Sequence, residues 1–240
     1  MPRRHWSVPQ SRRLFLGLST AALAGFAITR AIPGSAAPLG AGGQTRPTPA
    51  EALQRLLDGN RRFVYGATPQ ADITAARRAE TAMGQRPFAA IVACADSRVP
   101  TEVVFDQGHG DLFDCRVAGN FVDLGIAGGI EFAVGVLGVS AVLVLGHEEC
   151  GAVKAAIEAV TTGEEFSPNL DVIVDNVRPA VERALGQPGN LLNNAIQENV
   201  RIGVQRLTGE PDIAPFVESG AILIAGGEYN LASGLVELIH

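Results

Sequence analysis

The chain has 240 residues, 47% of them hydrophobic, which argues against disorder and leaves room for one large α/β domain with a substantial core. The formal charge is −6, but residues 1–41 hold five arginines and no acid, so the remainder sets 14 basic against 25 acidic residues, a net of −11. An acidic body with no basic stripe argues against a nucleic-acid partner.

The arginines belong to the N-terminus. "SRRLFLG" sets Arg12 and Arg13 ahead of an apolar run to Ile28, and the small-residue stretch "PGSAAPLGAGG" follows. A charged start, a short apolar middle and a small-residue exit describe an export signal, and the paired arginines are similar to the twin-arginine type. The apolar run is shorter than the roughly 20 residues that a membrane-spanning helix prefers. Residues 1–41 are therefore read as export signal and linker, with no stable membrane association after cleavage. Residues 42–240 are read as the mature folded domain of a periplasmic or extracellular protein.

That domain opens on "TPAEALQRLLDGNRRF", where Thr48 caps a helix, Pro49 suits its first position and Glu51 completes a capping box. "FAAIVAC" is an unbroken apolar run ending at Cys94, as expected of a strand buried on both faces. "LFDCRVAG", "AVLVLGH" and "AILIAGG" read as further strands, with helices over 125–137, 149–161, 169–184 and 191–207. Residues 125–146 are long and apolar enough to suggest a membrane span. Gly138 divides them, however, and they read as a buried helix, a turn and a central strand. Strands alternating with helices imply an α/β fold with a mostly parallel central sheet flanked by helices.

Two motifs then acquire positions. "CADSRVP" places Cys94 at one strand end with Asp96 and Arg98 in the loop after it. "GHEECG" places His147 at another strand end and Cys150 at the start of the next helix. Sites in such sheets lie at the carboxyl ends of the strands. Two thiolates and an imidazole suit zinc, with a fourth position for water or a carboxylate. Cys115, within a strand, reads as a small buried hydrophobe, and His109 as a solvated loop residue.

"CADSR" followed some fifty residues later by "GHxxCG" resembles the β-class carbonic anhydrases. "GNRRF" at 59–63, "FDQGHGDLF" at 105–113, "RVAGN" at 116–120, "IEFAVGVLG" at 130–138 and "GGEYNLASGLVEL" at 226–238 extend the likeness, in the family's order. The resemblance implies hydration of carbon dioxide to bicarbonate on zinc held by Cys94, His147 and Cys150. It gives Asp96 the role of orienting the attacking water, with Arg98 holding Asp96 ionised and off the metal. In a closed form Asp96 would itself become a ligand. It also implies substrate contacts at Gln85, Phe113 and Phe132, and a homodimer or higher even oligomer whose subunits share the site. Family members regulated by bicarbonate carry a Trp three residues before the first ligand; Ile91 stands there, so the open form is expected. Glu148 and Glu149 depart from the usual small or polar residues and are read as complementing a helix dipole, while Asn230 replaces a usual Asp. The same scaffold also serves hydrolysis of carbon disulfide or carbonyl sulfide. A non-catalytic zinc-binding module is a further alternative. A zinc deaminase is set aside because its paired P-C-x-x-C cysteines do not occur.

Overall fold

A computed structural model describes residues 46–67 and 72–239. The expected export signal, with Arg12, Arg13 and its boundary at residue 41, lies outside the described residues.

Helix α1 (Pro49–Val64) begins where the sequence places it. The Thr48 amide donates to the Glu51 carboxylate at 2.8 Å and the Glu51 amide donates to the Thr48 hydroxyl at 3.3 Å. This reciprocal cap satisfies two donors that helix geometry would leave orphaned. Next come α2 (Ala75–Thr81), β1 (Ala89–Ala93), the single turn α3 (Thr101–Val104), β2 (Leu112–Arg116) and α4 (Leu124–Phe132). A π-helical turn over Ala133–Leu137 continues α4 and stops at Gly138, which is left-handed at φ 67°. A side chain there would be strained, so the glycine ends the helix and frees Ala141 to start a strand. That strand is β3 (Ala141–His147), followed by α5 (Gly151–Thr162), α6 (Pro168–Ala184), α7 (Leu191–Gly209), α8 (Ala214–Glu218), β4 (Leu223–Tyr229) and β5 (Val236–Ile239).

The five strands form one sheet in the order β2-β1-β3-β4-β5. The first four are parallel and β5 returns antiparallel to β4. The expected fold class is met, with β1 and β3 buried along their whole length. One face is covered by α4 and α7, meeting Val92, Val142 and Val144; the other by α1 and α3, meeting Ile91, Leu143 and Leu145. Among the described residues no helix is long and apolar enough to cross a membrane. The expectation of a buried helix over 125–137 needs correction. Its inner side packs on the sheet through Ala127, Ile130, Ala133 and Val134, but Leu124, Phe132 and Val136 stand exposed in a stripe on the outer side. The apolar count made the segment look buried all round, but a helix packed on the sheet by one side buries only that side, whatever residues stand on the other.

Asp114 on edge strand β2 is an unusual burden. It receives a 2.5 Å hydrogen bond from the Thr101 hydroxyl, yet its Oδ1 is buried with no partner. Burial pushes its pKa up to about 6, against the pull of the Thr101 bond. An unfolded Asp titrates near 3.9, so between about pH 4 and 6 the folded chain binds more protons than the unfolded one. Stability then falls as pH rises through that window and stays lowered above it. Asp114→Asn should therefore raise stability by about 2 kcal/mol at neutral pH, with the gain vanishing near pH 4. Urea unfolding at both pH values checks this; an equal effect at both would refute the titration.

Candidate metal centre

Sheet order dictates where a site can form. The chain leaves β1 for β2 on one side and reaches β3 on the other, so the crossovers diverge between β1 and β3. Beyond the carboxyl ends of two such neighbours the covering helices part and leave a crevice. Ala93 pairs with Leu145, so the register carries Cys94 alongside Gly146, one step from His147. Glu149 turns the chain at φ 55°, and Cys150 becomes the N-cap residue of α5 without using its thiol as a cap.

These turns bring one ligand atom each of Cys94, His147 and Cys150 within 4.8 Å of one another, and all three residues are buried. The imidazole is held from behind: its Nδ1–H donates to the Glu148 carbonyl at 2.7 Å. That bond fixes the tautomer and leaves the lone pair on Nε2. Nε2 is buried and has no hydrogen-bond partner. A buried acceptor left unpaired is costly, and here it faces two sulfurs, a donor set that suits a soft divalent metal such as zinc. Among the described residues this is the one cluster of its kind. The residues present therefore fit a metal.

The electrostatics agree. Cys94 ionises first: the adjacent Cys150 thiol and the Gly119 amide, which donates to its sulfur at 3.2 Å, outweigh burial. Gly119 sits at φ 88°, a conformation that lets the "RVAGN" loop aim that amide at the sulfur. Cys150 is pushed up by its side-chain contact with Cys94, by burial and by the Cys94 charge; a cation between them relieves these effects. Arg116 donates to the carbonyls of Cys94, at 2.8 Å, and Asp96, at 2.7 Å, and so pins the loop that carries both. The sequence reading missed this role; "RVAGN" was legible as a motif, not as a clamp.

Asp96 and Arg98 meet as expected. Arg98 Nε donates to Oδ1 at 2.9 Å and Nη2 to Oδ2 at 2.7 Å, while the Arg98 amide adds a 2.9 Å bond to Oδ1. These bonds hold the carboxyl well below the usual carboxylate range. Oδ2 lies 3.9 Å from His147 Nε2, at the edge of the donor set.

The three residues expected to contact substrate are not gathered at the donor set. Gln85 is exposed ahead of β1, at the opposite end from Cys94, and five residues of strand separate the ends by roughly 16 Å. Phe113 and Phe132 pair with each other, ring centroids 6.1 Å apart. His109 precedes β2 and so lies on the amino-terminal side of the sheet, away from the donor set. Cys115 packs in the core, its thiol raised to about 11 by burial. The dipole reading of Glu148 is corrected: its carboxylate turns away from α5 and accepts from Asn230 Nδ2 at 2.7 Å and the Leu231 amide at 3.2 Å. Glu149 instead pairs with Lys154.

Fold and donor set together define an α/β protein with a Cys–His–Cys site of the kind that holds zinc at a switch point. The carbonic anhydrase family model matches residues 89–236. The chain is 40% identical over 194 residues to a carbonic anhydrase of Mycolicibacterium smegmatis, covering 79% of this chain and 93% of that one. It is 37% identical over 190 residues to carbonic anhydrase 2 of Mycobacterium tuberculosis, covering 78% and 90%. Among solved structures, a β-carbonic anhydrase of the fungal pathogen Aspergillus fumigatus matches at TM-score 0.60 and 25% identity, over 78% of this chain and 90% of that one. One of two tetrameric β-carbonic anhydrases from Sordaria macrospora matches in fold at TM-score 0.62 and 21% identity, over 79% and 97%. The chain belongs to the β-class carbonic anhydrase family.

Proposed function

We propose that the protein catalyses the reversible hydration of carbon dioxide to bicarbonate and a proton, with zinc held by Cys94, His147 and Cys150. The observation that carries this is the unpaired Nε2 of His147 facing two cysteine sulfurs beside the Asp96–Arg98 pair. When bound, zinc makes a nucleophile of water at neutral pH. This chain's residues do the rest. His147 and the two thiolates supply a donor set of balanced charge. Asp96, kept ionised by Arg98, offers Oδ2 as an acceptor that orients the reactant. Arg98 keeps that carboxylate out of the donor set, which favours the open form.

The pocket wall is incomplete in one chain, and a second copy supplies the rest in this reading. The exposed Leu124, Phe132 and Val136 stripe is a surface that pairing would bury, and the Sordaria relative is described as tetrameric. Gln85 of one subunit then serves the site of its neighbour. Carbon dioxide and carbon disulfide assays on one zinc-loaded sample, sized by light scattering, test both points. Hydration without disulfide hydrolysis, at a mass of two chains or a higher even number, is expected; the reverse substrate preference or a single-chain mass would overturn the corresponding half.

The leader supports export by the folded route. A metal site assembled before export is protected from a Cys94–Cys150 disulfide in an oxidising compartment. Arg12→Lys with Arg13→Lys should retain the protein in the cytoplasm. Undiminished mature protein outside it would refute the twin-arginine reading.

A further inference from the structure

Glu148 and Asn230, 82 apart in sequence, meet beside the metal ligands. Glu148 follows His147, and Asn230 follows the last residue of β4. The Glu148 amide donates to the Tyr229 carbonyl at 3.1 Å, which extends the β3–β4 ladder one step past His147. Its own carbonyl receives the His147 Nδ1–H at 2.7 Å. Its carboxylate is held by Asn230 Nδ2 at 2.7 Å and the Leu231 amide at 3.2 Å. All three polar parts of Glu148 are engaged, and the orientation of the imidazole depends on one of them.

Asn230 is equally committed. Its Oδ1 accepts from the amides of Ala232, at 3.0 Å, and Ser233, at 2.7 Å, and from the Ser233 hydroxyl at 2.9 Å. The amide oxygen is therefore spoken for, and the NH2 is left facing Glu148. The turn is anchored in its own right: buried Asn60 of α1 donates to the Gly234 carbonyl at 2.8 Å and accepts from the Val236 amide at 2.8 Å. A rigid path thus runs from α1 through the β4–β5 turn to the peptide that aims His147.

We infer that Glu148 and Asn230 are a matched positioning pair that fixes the Glu148 carbonyl, and through it the His147 ring, for metal binding. The inference rests on the reading that Cys94, His147 and Cys150 hold zinc. A carboxylate at 148 requires a donor at 230, and a carboxylate at 230 as well would set two acids face to face at hydrogen-bonding distance. Partners behind a ligating histidine carry real affinity, about 10- to 100-fold on removal.

The test measures zinc affinity by chelator competition, with circular dichroism reporting the fold. Asn230→Asp should weaken zinc about 10-fold or more. Glu148→Gln with Asn230→Asp reverses the bond: the amide now at position 148 donates to the carboxylate now at position 230, while its oxygen still accepts from the Leu231 amide. That double variant should return to within about threefold of the unsubstituted chain, where a merely disrupted turn would not recover. Glu149→Gln, one residue on and paired with Lys154, should leave zinc affinity unchanged. Undiminished affinity in Asn230→Asp, no recovery in the double variant, or an equal loss in Glu149→Gln would each overturn the pairing. Cys150→Ser in the same assay separates the two levels. If it keeps zinc, the ligand assignment fails; if it loses zinc while Asn230→Asp does not, only the positioning pair fails.

Discussion

Cys150→Ser should leave the protein folded but without zinc, and with activity reduced by roughly a hundredfold or more. The hydroxyl that replaces the thiol is a poor ligand for a soft metal site, and the remaining Cys94 and His147 cannot close around a divalent ion by themselves. Cys150 is 1% exposed at the start of α5, and serine fits its volume, so loss of metal is separable from loss of fold. Cys115→Ser is the control. Cys115 lies in the core against Gly129, with its thiol raised to about 11, and has no part in the donor set. It should keep about one zinc per chain, at some cost in stability from burying a hydroxyl. Metal analysis of both variants decides the matter: equal zinc in Cys150→Ser and the unsubstituted chain would sink the assignment.

Arg98→Ala should have the second-largest effect, a loss of about a hundredfold in kcat/KM with zinc retained. Removing the guanidinium frees Oδ2 of Asp96, which already stands 3.9 Å from His147 Nε2. The carboxylate can then swing into the donor set and occupy the position the reactant needs. Its pKa returns toward the ordinary value near 3.9, so Asp96 is ionised at neutral pH in both proteins and the loss reports geometry rather than protonation. Arg98→Lys should recover only part of the activity, because an ammonium cannot make the two parallel bonds that Nε and Nη2 make here. Stopped-flow kinetics beside metal analysis reads both quantities. Activity within a few-fold of the unsubstituted chain would remove Arg98 from its role.

Much of the site was legible because its residues sit at the ends of strongly patterned elements. "FAAIVAC" and "AVLVLGH" are apolar runs that become central strands whatever surrounds them, and a residue that ends such a run is delivered to the same edge of the sheet. Cys94, His147 and Asp96 could thus be placed together before any coordinates. The capping box of Thr48 and Glu51 is local in the same way: four consecutive residues carry the whole interaction. The elements left out are short or weakly patterned. Helices α2 and α8 are 7 and 5 residues long, and β5, of 4 residues, owes its place to pairing with β4 rather than to its own sequence.

What the sequence determined by itself is the ladder of parallel strands, the thiol and imidazole at their carboxyl ends, and the Asp96–Arg98 spacing, because periodicity and adjacency are written along the chain. What only the tertiary structure decided are relations between distant segments. Glu148 was free to face the α5 dipole until the fold brought Asn230 to it. Arg116 became the clamp on Cys94 because β2 lies beside β1. Val136 looked like core as part of a buried helix until that helix proved to have one apolar side on the sheet and the other outward. A side chain's type is fixed by its codon, but its partner is fixed by which strand or helix is laid alongside. That choice belongs to the packing of the whole sheet.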